Sequence, residues 1–216
     1  MYRNIMFDLD GTVTDSGRAI TSSVEYALSQ FGITDQPMEK LRTFIGPSLY
    51  DSFGREYQMT GDDLDKAVAS YRSIYESSRM YDVDIYEGIP ELLHELNSRG
   101  FNVILVTSKP LKFSEKIIEK IGLLPYFNHL VGPELSDHSS DKKRLIERAV
   151  DEYGLKKEEC IMVGDTRYDI DGAVDAGVDS IAVTYGYGDA AAMKEAGATF
   201  MVDSVRGIAE VLGVEI

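Results

Sequence analysis

The feature that most constrains the fold of this chain is an alternation. Short apolar runs that stop at Asp, Gly, Thr or Ser are each followed by a stretch with helical periodicity. The runs at 5–9, 102–107, 130–132, 160–163, 180–184 and 200–202 predict strands. The segments 90–99, 114–121, 142–153, 169–176, 190–196 and 205–212 predict helices. Strands that alternate with helices in this way build a parallel sheet. The expected fold class is α/β, with a Rossmann-like open parallel sheet as its core.

One interval breaks the alternation. Residues 16–81 read as consecutive helices with no strand between them. Ser16 is placed to cap a helix whose apolar positions Ile20, Val24, Ala27, Leu28 and Phe31 recur at helical spacing. A later helix carries Leu64, Ala67, Val68, Tyr71, Ile74 and Tyr75 on one stripe. A helical module inserted after the first strand of a parallel sheet belongs above the carboxyl ends of the strands, as a cap. The expected division is a core domain of residues 1–15 and 82–216 and an all-helical cap of residues 16–81. Hinges are expected near 15–17 and 82–88, where glycines can absorb backbone rotation.

The formal net charge of −15 and the lack of a basic cluster argue against nucleic acid polymers and anionic membrane surfaces as partners. Cys160 lies in an apolar run, which predicts an inert buried thiol. His94, His129 and His138 are scattered, and packing roles are expected for them. No segment reads as a signal peptide or a membrane span, so a cytoplasmic protein is expected, as a monomer or homodimer.

Chemistry is signalled first by Phe7-Asp8-Leu9-Asp10-Gly11-Thr12, at the end of the first predicted strand. Strand periodicity puts Asp8 and Asp10 on one side and Leu9 on the other. Two carboxylates so close repel each other unless a cation or shared proton relieves them. Mg²⁺, which takes oxygen ligands, is the natural relief. Asp8-Leu9-Asp10-Gly11-Thr12 resembles the DxDGT signature of the haloacid dehalogenase superfamily, and the family's other motifs follow in its order along essentially the whole chain.

The resemblance implies a phosphatase in which Asp8 is the nucleophile and becomes phosphorylated. Asp10 then protonates the leaving group and activates water. It implies that Thr107 hydrogen-bonds a phosphoryl oxygen, with Ser108 a further donor. A lysine must neutralise phosphate and acids together, and Lys142 is the candidate, with Lys143 the alternative register. Ile161-Met162-Val163-Gly164-Asp165-Thr166-Arg167-Tyr168-Asp169 matches the family's GDxxxD form. It implies Asp165 as a direct Mg²⁺ ligand and Asp169 as a supporting one, beside Asp8 and Asp10.

Asp10 disfavours a dehalogenase, since those relatives lack the second acid. The segment Phe44-Ile45-Gly46-Pro47-Ser48-Leu49 resembles the substrate-facing loop of phosphoglycolate phosphatase-like and bacterial 5'-nucleotidase-like relatives, which implies Gly46, Pro47 and Ser48 as substrate-binding residues, and 183–188 in the core shares the resemblance. The expected partner is a small phosphorylated metabolite, phosphoglycolate or a similar compound. A 5'-nucleotidase, a phosphomutase and a non-hydrolytic phosphoacceptor signalling domain are the alternatives.

Overall fold

The computed structural model describes residues 1–137 and 141–216. Its strands are β1 (Asn4–Phe7), β2 (Thr14–Asp15), β3 (Asp84–Ile85), β4 (Asn102–Val106), β5 (His129–Val131), β6 (Cys160–Gly164), β7 (Asp179–Val183) and β8 (Phe200–Val202). Its α-helices are α1 (Gly17–Ser29), α2 (Met38–Arg42), α3 (Leu49–Tyr57), α4 (Gly61–Ile74), α5 (Ile89–Ser98), α6 (Leu111–Lys120), α7 (Lys142–Glu152), α8 (Arg167–Ala176), α9 (Ala190–Glu195) and α10 (Val205–Leu212). Six strands form one parallel sheet in the order β5-β4-β1-β6-β7-β8. The α/β expectation and the six predicted sheet strands match this arrangement.

The strands are apolar on both faces because helices cover both. Ile5, Phe7, Leu105 and Val163 meet Leu92, Leu93 and Leu96 of α5 and Ile208 of α10. Met6, Ile104, Val106 and Met162 meet Leu145, Ile146 and Ala149 of α7 and Ala173 of α8. The two-residue period of a strand sorts neighbouring residues between these layers. Cys160 packs in the second layer, and burial pushes its thiol up to about 11, as an inert group requires.

Strand β1 stops two residues short of the predicted end. Asp8 N still donates to Val163 O, but the Leu9 carbonyl then accepts the N–H groups of Val13 and Thr14, closing a tight turn. Asp8 and Asp10 are therefore separated by a turn and not by strand alternation.

The helical insertion has its own core, in which Val24, Leu28, Leu41, Phe53 and Val68 are buried together. Phe113 and Ile117 of α6 join that cluster and tie the insertion to the sheet layer. A single π-helical turn, Tyr75–Arg79, ends the insertion. Ser16 occupies the N-cap position of α1, but its side chain makes no cap bond, contrary to expectation, and its buried hydroxyl has no partner among the described residues.

Where the chain leaves and returns to the core, β2 and β3 pair antiparallel, Thr14 with Ile85 and Asp15 with Asp84. Tyr187 braces this stem: its hydroxyl donates to the Asp15 carboxylate and accepts from the Gly17 N–H at 2.6 Å. His129 stacks on Tyr153 and His94 meets Tyr126 edge-on, while His138 lies outside the described residues. No described helix is long and apolar enough to cross a membrane.

Candidate active site

The carboxyl ends of β1, β4 and β6 and the first turns of α7 and α8 converge on one buried cluster. Lys142 opens α7, with Asp141 as its N-cap. Gly172 of α8 allows the two helices to touch, since a Cβ there would stand 2.7 Å from Lys142 Cβ. The close contact directs the lysine inward.

Lys142 Nζ lies 2.7 Å from Asp8 Oδ1, 2.8 Å from Asp169 Oδ1 and 3.0 Å from Val106 O. Three acceptors match the three donors of an ammonium group. Burial alone would lower the Lys142 pKa, but Asp169 and Asp8 outweigh it and raise it above the ordinary value. Lys143, by contrast, is half-buried and 3.9 Å from Glu147.

Asp165 follows β6 directly. Its Oδ1 accepts from Thr12 Oγ1 at 3.2 Å and its Oδ2 from Tyr187 N at 2.8 Å. The Gly11 turn passes so close that a Cβ there would fall 2.1 Å from Asp165 Oδ2, and its φ of +91° also favours glycine. Asp169 reaches back to the start of α8, where its Oδ2 accepts from Thr166 N at 3.0 Å and from Thr166 Oγ1 at 2.7 Å. Its Oδ1 remains for Lys142.

Carboxylate oxygens of Asp8, Asp165 and Asp169 lie within 4.8 Å of one another, all buried. One lysine cannot neutralise three acids. Burial, with contributions from Asp169 and Asp10 and against the pull of Lys142, lifts Asp8 to about 6. Burial, Asp169 and Asp8 push Asp165 well above the usual carboxylate range. A set of hard oxygen donors with surplus negative charge fits a divalent cation such as Mg²⁺.

The Asp10 carboxylate stands apart from this trio. Its Oδ2 pairs with Lys109 Nζ at 2.5 Å, and its buried Oδ1 has no hydrogen-bond partner among the described residues. Thr107 is buried at the end of β4, its Oγ1 accepting from Lys109 N at 3.2 Å. Asp10, Ser108 and Lys109 face Gly46, Pro47 and Ser48 of the insertion across a cavity of about 70 Å³. Ser48 caps α3, accepting from Asp51 N at 3.1 Å.

A family model described as haloacid dehalogenase-like hydrolase matches residues 5–183, a span that contains every residue of this cluster. The chain belongs to this family of hydrolases. It is similar to a 5'-nucleotidase of Pseudomonas aeruginosa, with 38% identity over 87% of this chain and 85% of the relative. It is similar to a phosphoglycolate phosphatase of Vibrio parahaemolyticus, with 28% identity over 97% of this chain and 96% of the relative. A crystal structure described as a predicted phosphatase from Clostridium acetobutylicum superposes with a TM-score of 0.95 at 37% identity, covering 99% of this chain and 100% of that one.

In this haloacid dehalogenase-like hydrolase the structure brings together Asp8, Asp165, Asp169 and Lys142. It sets Asp10 and Ser108 on the core side of the cavity, with residues 46–48 of the insertion across from them. Sequence reasoning missed Lys109, Thr12 and Thr166, and took Tyr187 only as part of the segment 183–188 and not as a partner of Asp165. Thr12 and Thr166 sit inside motifs whose acids drew the attention. Lys109 follows Thr107-Ser108 at a strand end, a position from which a side chain can enter the crevice.

Proposed function

We propose that this hydrolase is a Mg²⁺-dependent phosphatase that moves the phosphoryl group of a small monoester to Asp8 and then to water. The observation that carries the reading is the separation of the two acids of the DxD pair. Asp8 is clamped by Lys142 within the acid cluster, and Asp10 stands on the cavity side.

In the first half, an Asp8 oxygen attacks phosphorus, the ester P–O bond breaks, and Asp10 gives its proton to the leaving oxygen. In the second, Asp10 takes a proton from water as that water attacks phosphorus, releasing phosphate and restoring Asp8. Lys142 holds Asp8 in place and offsets charge, and the Thr107 hydroxyl is at the strand end to bond a phosphoryl oxygen. Asp8 and Asp165, with Asp169 in support, would hold Mg²⁺, which when bound would supply the positive charge that lets an anionic phosphate approach a carboxylate. Asp10 contributes to that charge balance from its own side.

The insertion, residues 16–81, acts as a cap over the core of residues 1–15 and 82–216, and Gly46, Pro47 and Ser48 face the substrate. The cavity beside them is small, about 70 Å³. Phosphoglycolate or a similar small organic phosphate fits that room, in keeping with the Vibrio relative. A soluble metabolite of this kind suits a cytoplasmic enzyme, as a monomer or homodimer.

A second reading, a 5'-nucleotidase, is favoured by the aromatic side chains of Tyr50, Tyr71 and Tyr75 on the cavity wall and by the Pseudomonas relative. Phosphate release in Mg²⁺ from phosphoglycolate, nucleoside monophosphates, sugar phosphates and pyrophosphate separates the two. Multiple turnovers with phosphoglycolate at the head are expected. No release beyond one equivalent from any substrate would overturn the phosphatase.

A further inference from the structure

Asp10 is held differently from the other acids of the motifs. Asp165 and Asp169 have partners on both oxygens, and Asp8 is clamped by the buried Lys142. The Asp10 carboxylate has one hydrogen-bond partner among the described residues, Lys109 Nζ, and the two side chains are only 9% and 7% exposed. A single ammonium group therefore sets the direction of this carboxylate.

The lysine leaves a turn that has little freedom. Lys109 N donates to Thr107 Oγ1 at 3.2 Å, and Leu111 N donates to Pro133 O at 2.9 Å. Pro110 disfavours helical backbone at residue 109. The Lys109 carbonyl lies so close to Gly132 that a Cβ there would stand 3.0 Å from it. At the far end, Nζ is 5.2 Å from the centroid of the Tyr75 ring, within cation–π range. That ring is itself fixed between Tyr71, stacked at 5.3 Å, and Phe113, edge-on at 5.7 Å. Tyr75 belongs to the insertion and Asp10 to the core, and Lys109 joins them.

Stability does not account for the pair, because two charges withdrawn from water gain little over apolar side chains of the same size. Geometry does. A proton crosses only when the acid and the reacting oxygen are within hydrogen-bond reach, and a displacement of about 1 Å can cost about 10²-fold in rate.

We propose that Lys109 is the positioning residue for Asp10, and that the Tyr75 ring holds the lysine in place, so that the acid is aimed while the insertion is seated on the core. The role rests on the phosphatase reading, in which Asp10 protonates the leaving oxygen and later takes a proton from water. Lys109 keeps its own protons and acts through Asp10 alone.

The test uses phenyl phosphate and p-nitrophenyl phosphate in Mg²⁺, two esters of similar shape, of which the second has a leaving group that departs without a proton. In Lys109→Met, kcat/KM for phenyl phosphate should fall about 10²-fold, because the leaving oxygen no longer meets a well-placed acid. For p-nitrophenyl phosphate kcat should fall, since water must still be activated, but KM should fall with it and kcat/KM should stay within about three-fold. On phenyl phosphate, Lys109→Met added to Asp10→Asn should cost nothing further, because a positioning residue has no effect once the group it positions is gone. Tyr75→Leu should show the same split between the esters at about five-fold, and Tyr75→Phe, which keeps the ring face, should not show it.

Equal losses of kcat/KM on the two esters, or losses that multiply in the double variant, overturn the proposal while turnover by the unaltered chain leaves the phosphatase standing. A Tyr75→Leu that behaves as Tyr75→Phe overturns the share given to the insertion. Should Lys109→Met alone not fold, because it leaves Asp10 a buried unpaired charge, the double variant carries no such charge and its comparison with Asp10→Asn still decides. No release beyond one equivalent by the unaltered chain removes the phosphatase reading and this role with it.

Discussion

At the carboxyl edge of the sheet, Lys142 meets three acceptors, and both oxygens of Asp165 and of Asp169 are engaged. On the wall contributed by the insertion, Arg72, Tyr71 and Tyr75 line a cavity together with Asp10, Ser108 and Lys109 of the core. The first region is closed around its own ion pairs, although its acids outnumber its lysine; the second is a cavity walled by the insertion and the core together. The difference follows from what each must recognise. A phosphoryl group and a cation present the same charges every time, so fixed dipoles and ions can be arranged for them in advance. A leaving group varies, and a wall lent by a separate insertion can vary with it while the sheet edge stays the same.

The comparison breaks most visibly at Asp8. Asp8→Asn should keep the far-ultraviolet circular dichroism of the unaltered chain and lose activity on the order of 10⁴-fold, because an amide cannot attack phosphorus. Turnover near that of the unaltered chain would end the nucleophile assignment.

Lys142→Met tests whether the sheet edge is truly a closed set of charges. It strips the counter-ion from two buried carboxylates and should cost about 3–5 kcal/mol in urea unfolding at pH 8 with chelator present. A loss below about 1 kcal/mol would rank it with exposed pairs.

Gly172→Ala attacks the same region through packing. The added methyl meets Lys142 Cβ, and separating α7 from α8 should cost about 1–3 kcal/mol and lower kcat. An unchanged kcat would show that Lys142 tolerates displacement.

The smallest effect is in pH. In chelator, folded Asp8 holds a proton up to about 6 and the unfolded chain only to the ordinary 3.8. Between these values the folded state binds more protons, so stability is greatest at the acid end and falls as pH rises. Melting should drop by a few degrees across this window. Mg²⁺ should stabilise more at the alkaline end, since it competes with the proton. Melting that rises through the window would contradict the burial of an unrelieved acid.

The sheet edge was also the part legible in the sequence. An acid directly after an apolar strand is hard to explain otherwise, and this picks out Asp8 and Asp165 without knowledge of the fold. The choice between Lys142 and Lys143 turned on one residue of helix phase, and the close approach of α7 and α8 that buries Lys142 has no local signal.

The cavity wall was nearly illegible. Lys109 read as part of a turn before Pro110, and its bond to Asp10 spans 99 residues of sequence. Tyr71 and Tyr75 read as helix packing, which they also are, and only the folded structure shows that both line the cavity. Strands β2 and β3 have two residues each, too short for any periodicity to show.

Tyr187 makes the stem and the acid cluster parts of one mechanical linkage. Its backbone N–H holds Asp165, and its phenol holds Asp15 and Gly17 where the chain passes into the insertion. A swing of the insertion about the stem must either let go of that phenol or tug the segment that fixes Asp165. By reciprocity, a ligand that grips Asp165 should stiffen the stem in return. On the proposed reading, with the insertion as a lid and Mg²⁺ on the acids, a substitution chosen to loosen the lid should be felt as a weaker hold on the ion, and one chosen to tighten the ion site should slow the lid.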